Sequence, residues 1–105
     1  MPIAPSLSVY QSRITPAVER AVRALAPNVV RIRYSLSEDW SGEPAIFFRI
    51  VLSDDASREA RLREIAPAVS SAVLQEVNPE ELGLQYYFNF RSVSEQAELK
   101  EESWA

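Results

Sequence analysis

The chain contains no cysteine and no histidine. Without cysteine it has no disulfide, no thiolate nucleophile, no iron–sulfur ligand and no Cys-based zinc site, and without histidine it lacks the commonest metal ligand and general base. That pair of absences excludes most familiar enzyme mechanisms, so neither an enzyme nor a bound cofactor is expected. Glycine occurs only twice, and no Gly-rich segment is present to cradle a phosphate. No apolar run approaches the roughly 18 residues of a membrane helix. The start Met1-Pro2-Ile3-Ala4-Pro5-Ser6 also lacks the basic residues and long apolar stretch of a signal peptide. A cytoplasmic protein without a membrane span is the expectation. Lysine is almost missing as well, since Lys100 is the single Lys among 11 basic residues.

What is present is ordinary for a soluble globular chain. With 105 residues, of which 47% are hydrophobic and 25% charged, the chain fits one domain, large enough to bury roughly 65% of its unfolded surface without staples. The net charge of −4 argues against non-specific nucleic-acid binding. Charge is also unevenly placed. Arginines dominate up to Arg63, whereas the last third carries Glu76, Glu80, Glu81, Glu95, Glu98, Glu101 and Glu102 against Arg91 and Lys100. Guanidinium groups desolvate readily and pair bidentately with carboxylates, which suits protein contacts. A genomic bias toward Arg codons produces the same composition.

Three segments follow from the patterning: an N-terminal arm over 1–14, an α+β domain over 15–92 and an acidic helix or tail over 93–105. The arm has Pro, Ser and scattered apolar residues without a period. Thr15-Pro16 reads as a helix start, and Val18, Ala21, Val22 and Leu25 form one apolar face before Pro27-Asn28. Val30, Ile32 and Tyr34 alternate with Arg31, Arg33 and Ser35, as in a half-buried strand. Ile46 to Ser53 is apolar on both faces apart from Arg49, as expected of a middle strand. Capping residues at 54–57 precede Leu62, Ile65, Ala66, Val69, Val73 and Val77, a helical stripe whose phase continues through Pro67. Leu84, Tyr86, Phe88 and Phe90 mark a third strand. Ser92 and Glu95 then have capping-box spacing ahead of a charged helix running to about Glu102. The predicted architecture is a helix-strand-strand-helix-strand two-layer sandwich, with a small, mainly antiparallel or mixed three-stranded sheet plus a C-terminal helix.

The segment from Ser35 to Pro44 reads as a ten-residue polar loop between strongly apolar strands, the place where a small domain carries function. Trp40 in it is either a contact anchor or a ring folded back over the sheet. Asp39 and Glu43, joined by Asp54 from the end of the next strand, could hold a divalent metal, an alternative carboxylate-dependent metal or nucleotide enzyme. Solvated turn acids are the commoner outcome, so metal is disfavoured. Arg31, Arg33 and Arg49 converge if their strands pair, either to bind phosphate or to meet the acidic C-terminal helix. The aromatics Tyr86, Tyr87, Phe88 and Phe90 could stack nucleic-acid bases, but core packing explains them more simply. The tail, ending Ser103-Trp104-Ala105, either docks on a partner or covers its own core. The expected activity is association with another protein subunit or a second copy, through Trp40, Arg49, Tyr87 and Trp104.

A helix, then Val-Val-Arg-Ile-Arg-Tyr-Ser at 29–35, a loop and an apolar strand resemble the minimal nucleotidyltransferases that partner HEPN ribonuclease-type toxins. In that family a Gly-Ser pair follows the first strand, and here Tyr34-Ser35 keeps only the Ser. The two aspartates expected on the next strand are absent from Pro44-Ala45-Ile46-Phe47-Phe48. The resemblance therefore implies a degenerate, non-catalytic, antitoxin-like subunit. The element order is also similar to the cytoplasmic domain of cation-diffusion transporters, although the metal-binding histidines of that family are missing.

Overall fold

Apolar stripes with two different periods, one helical and one alternating, meet in a single core. A computed structural model describes residues 7–104. In chain order it contains α1 (Leu7–Leu25), β1 (Val29–Glu38), β2 (Pro44–Leu52), α2 (Glu59–Val77), a 3-10 turn at Pro79–Leu82, β3 (Gln85–Ser92), α3 (Val93–Leu99) and a second 3-10 turn at Glu102–Trp104. The sheet order is β1-β2-β3, with β2 antiparallel to β1 and parallel to β3. This is the α+β, mixed three-stranded architecture expected from the patterning.

β2 lies in the middle because it is apolar on both faces. Ile46, Phe48, Ile50 and Leu52 enter the main core, while Ala45 and Val51 are buried on the other side. Against the first face pack Ile14, Ala17, Val18 and Ala21 of α1 and Val69, Val73 and Val77 of α2, spaced three or four residues apart as one helix face requires. Polar contacts fix the helices laterally: Thr15 and Tyr34 share a hydrogen bond of 2.6 Å, and Arg20 of α1 meets Glu76 of α2 at 3.0 Å. Among the described residues no helix is long and apolar enough to cross a membrane.

Four local expectations are corrected. The segment read as an irregular arm is helical from Leu7, so Pro16 sits inside α1 rather than at its first position; residues 1–6, like Ala105, lie outside the described residues. Tertiary packing of Ile14 and Ala17 outweighs the one backbone hydrogen bond that Pro16 cannot donate. The predicted ten-residue loop is also much shorter. β1 continues to Glu38 because Leu36 extends the Ile32, Tyr34 alternation and pairs with Ile46. α2 starts at Glu59, after turns at 54–57, and then runs unbroken through Pro67. α3 is shorter than expected: it runs from Val93 to Leu99 and is capped by Lys100, whose φ of 53° reverses the chain.

Candidate functional site

Alternation along paired strands gives the sheet face opposite α1 and α2 four cross-strand rows. The rows are Arg31–Val51–Arg91, Arg33–Arg49–Asn89, Ser35–Phe47–Tyr87 and Ser37–Ala45–Gln85. The first two are basic and the last two aromatic or neutral. Three of the expected contact residues, Trp40, Arg49 and Tyr87, belong to this face, and Trp104 also lies on it.

A strap formed by α3 and the turn after it covers the basic half. The Ser92 hydroxyl accepts a hydrogen bond from the Glu95 amide at 3.0 Å and the Glu95 carboxylate accepts from the Ser92 amide at 3.1 Å, the capping box its spacing predicted. Asp54 then receives the Ser94 amide and hydroxyl, at 3.0 and 2.6 Å. These bonds hold the Asp54 carboxyl below its ordinary value. Beyond Lys100 the chain folds back onto the sheet, so that Arg31 Nε donates to the Trp104 carbonyl at 3.1 Å and Arg49 Nε to the Ser103 carbonyl at 2.6 Å. Arg49 Nη1 also donates to the Ser35 hydroxyl at 2.9 Å. Arg91 places its guanidinium 4.3 Å from the Trp104 ring centroid and pairs with Glu101 at 2.9 Å. Trp104, expected at a partner contact, is only 6% exposed and completes its own fold.

The aromatic half ends at the β1–β2 hairpin. Asp39 N–H donates to the Glu43 carbonyl at 2.9 Å and Gly42 N–H to the Asp39 carbonyl at 3.0 Å, closing a tight turn. Gly42 has φ +83°, a left-handed value that glycine adopts without strain. One oxygen of Asp39 accepts from the Ser41 amide (2.9 Å), the Ser41 hydroxyl (2.6 Å) and the Glu43 amide (3.0 Å). Its other oxygen accepts from the Tyr87 hydroxyl at 2.7 Å. The Ser41 and Tyr87 hydrogen bonds stabilise the ionised form and pull the Asp39 pKa down from 3.8 to about 2. The same bond to Asp39 raises the Tyr87 phenol above its usual range. Tyr87 is thereby fixed as a platform, with Phe47 stacked on it at 5.2 Å and the Trp40 ring against it at 4.9 Å. Trp40 remains 83% exposed.

The proposed metal set does not assemble. Asp39 and Glu43 flank the hairpin tip, whereas Asp54 follows the far end of β2; nine strand residues place it roughly 30 Å away, at about 3.3 Å per residue. Among the described residues no group of three or more His, Cys, Asp or Glu is positioned to hold a metal ion. Nor do the four aromatics of β3 make one platform: Tyr86, Phe88 and Phe90 lie on the core face, and Tyr87 alone joins Phe47 on the other. Arg91, which a base-stacking surface would need open, sits under Trp104. Phe47 went unnoticed in the sequence because its apolar neighbours mask its role; the Ala45, Phe47, Arg49, Val51 alternation was the available signal.

No family model and no curated protein matches the chain. Among solved structures, the chain is similar to the MamM CTD in a copper form, with 18% identity and a TM-score of 0.46 over 83% of this chain and 98% of that one.

Proposed function

We propose that this chain is a non-catalytic protein-association module whose contact surface is the aromatic end of the open sheet face, centred on Trp40. The observation that carries this reading is the 83% exposure of a tryptophan whose ring is nonetheless held against Tyr87 at 4.9 Å. A loose indole would lose rotamer freedom on binding, but one already seated on a platform loses little while offering one of the largest apolar surfaces of any side chain. Around it Phe47 and Tyr87 supply apolar area, and Arg49, half-buried one row away, borders the patch.

The chemistry of the tip supports a non-enzymatic reading. Both Asp39 oxygens are occupied by hydrogen bonds within the hairpin and to Tyr87, and a carboxylate with a pKa of about 2 is a poor general base at neutral pH. A regulatory or antitoxin-like subunit, such as a nucleotidyltransferase-like protein without its aspartate pair, is one form such a module takes.

The test compares the wild-type chain with Trp40→Ala by light scattering after size-exclusion chromatography and by affinity capture from native lysate, with mass spectrometry of the captured protein. Stoichiometric association, with itself or another protein, that is lost in Trp40→Ala while the thermal midpoint stays within a few degrees is the expected result. Association that survives the substitution removes Trp40 from the interface.

A further inference from the structure

We infer that the partner is a second copy of this chain, joined antiparallel along the outer edge of β3 so that the two sheets become one of six strands. This inference rests on the association reading and specifies its geometry.

The two free edges of the sheet differ in how they resist pairing. β1 carries Arg31, Arg33 and Glu38, and its register shifts between Val29 and Arg31. Charges and irregularities of this kind are what proteins use to blunt an edge. β3 has no bulge against β2, and from Gln85 to Phe90 it reads Gln-Tyr-Tyr-Phe-Asn-Phe, with Arg91 as its one charge. α3, which follows directly, touches both β3 and β2 and is tied by Ser94 to Asp54 beyond the end of β2, the neighbour on the inner side of β3. One row of β3 amides and carbonyls therefore faces away from β2 along an edge whose one charge, Arg91, is engaged by Trp104 and Glu101.

The limits of pairing are set by hydrogen bonds already made. Leu84 N–H is bound to the Pro79 carbonyl, and Ser92 N–H to the Glu95 carboxylate. The available stretch is thus Gln85 to Arg91, whose centre is Phe88. Two-fold symmetry about that centre sets Phe88 opposite the partner's Phe88, Tyr86 opposite the partner's Phe90, Tyr87 opposite the partner's Asn89 and Gln85 opposite the partner's Arg91. The Phe88 and Tyr86 pairs are aromatic with aromatic, Gln85 with Arg91 is polar with polar, Tyr87 with Asn89 is mixed, and no like charges face one another. On the core face the Tyr86, Phe88 and Phe90 series, edge-to-face between the first two and stacked between the last two, continues into its symmetry mate. Tyr86 is 41% exposed beside a shallow depression lined by Leu74, Asn78 and Pro79, which has room for the incoming ring. On the opposite face the pairing sets the strand that carries Trp40's platform, Tyr87, beside the partner's Asn89 and Arg91. The exposed indole then lies near the seam.

Sedimentation across a concentration series, with amide hydrogen exchange, tests this on the full chain. The expected result is a dimer in which the β3 amides that do not bond to β2 become protected as concentration rises. Gln85→Arg, at an exposed position set against the partner's Arg91, should weaken the dimer about tenfold through like-charge opposition, whereas Gln85→Glu should not. A monomer at every concentration overturns the inference, as does a dimer indifferent to Gln85→Arg with freely exchanging β3 amides. If that monomer still captures another protein through Trp40, the association reading stands and only this geometry falls. If nothing binds in a Trp40-dependent way, both fall.

Discussion

The two tryptophans lie against the same face of the same sheet and meet opposite fates. Trp104 arrives at the end of a strap, finds the Arg91 guanidinium beneath it, Arg31 holding its carbonyl and Arg49 that of Ser103, and is 6% exposed. Trp40 sits on a turn too short to fold over, and rests on Tyr87 with 83% of its surface in solvent. The difference lies in the chain that carries each ring. A dozen residues after β3 give Trp104 the reach to return to the sheet, while the turn from Asp39 to Glu43 is pinned by one carboxylate and leaves Trp40 no such freedom. Burial of one tryptophan is a property of the fold, and exposure of the other is a feature that folding leaves unused.

Trp104→Ala breaks the comparison hardest. Removing a buried tryptophan costs about 3–5 kcal/mol, so denaturant unfolding should show a loss of that size, against less than about 1 kcal/mol for Trp40→Ala. Equal losses would mean that Trp40 is as structural as Trp104. A second, smaller effect is expected at the hairpin. A Cβ at Gly42 meets nothing within 4 Å, yet φ is +83°, so Gly42→Ala should cost about 1–2 kcal/mol through backbone strain alone, read from the same unfolding curves. It should also alter the iodide quenching of Trp40 in a Trp104→Phe background. Unchanged stability and quenching would show that the turn does not hold the indole in place.

The gentlest probe is acid. Because the folded pKa of Asp39 is depressed from 3.8 to about 2, its contribution to stability is present above pH 3.8 and is lost as pH falls toward 2. Tyr87→Phe removes one of the hydrogen bonds responsible and should raise the Asp39 pKa, narrowing that window; an NMR titration of the Asp39 carboxyl carbon reads the change. An unmoved midpoint in the variant would mean that the Ser41 contacts alone hold the carboxylate ionised.

Much of the fold was legible because the apolar periods are clean. β2 was recognisable as the central strand from its two apolar faces, α2 from a stripe that keeps its phase through Pro67, and the capping box from Ser92 and Glu95. The start of α1 was not, since Thr15-Pro16 imitates a helix beginning and only tertiary contacts of Ile14 and Ala17 reveal the turns before it. At the hairpin, Leu36 carried the signal that β1 continues, but Ser35, Ser37 and Glu38 around it imitate a loop. The candidate site was half visible: strand alternation obliges Arg49 and Tyr87 to share a face, whereas Trp40 reaches it from the turn through its contact with Tyr87. The depth of Trp104 depends on how far a strap folds back, which no local pattern encodes.

The parallel placement of β3 bears on the order in which the molecule can assemble. β1 and β2 are joined by a tight turn and can zip locally, but β3 reaches β2 only after the whole of α2 has crossed the sheet, a slow, non-local closure. Until then one edge of β2, the most apolar strand in the chain, stands open. A nascent chain paused before Gln85 therefore exposes an adhesive surface that the finished protein hides, and the Tyr87–Asp39 hydrogen bond, spanning 48 positions, can form only once that surface has closed.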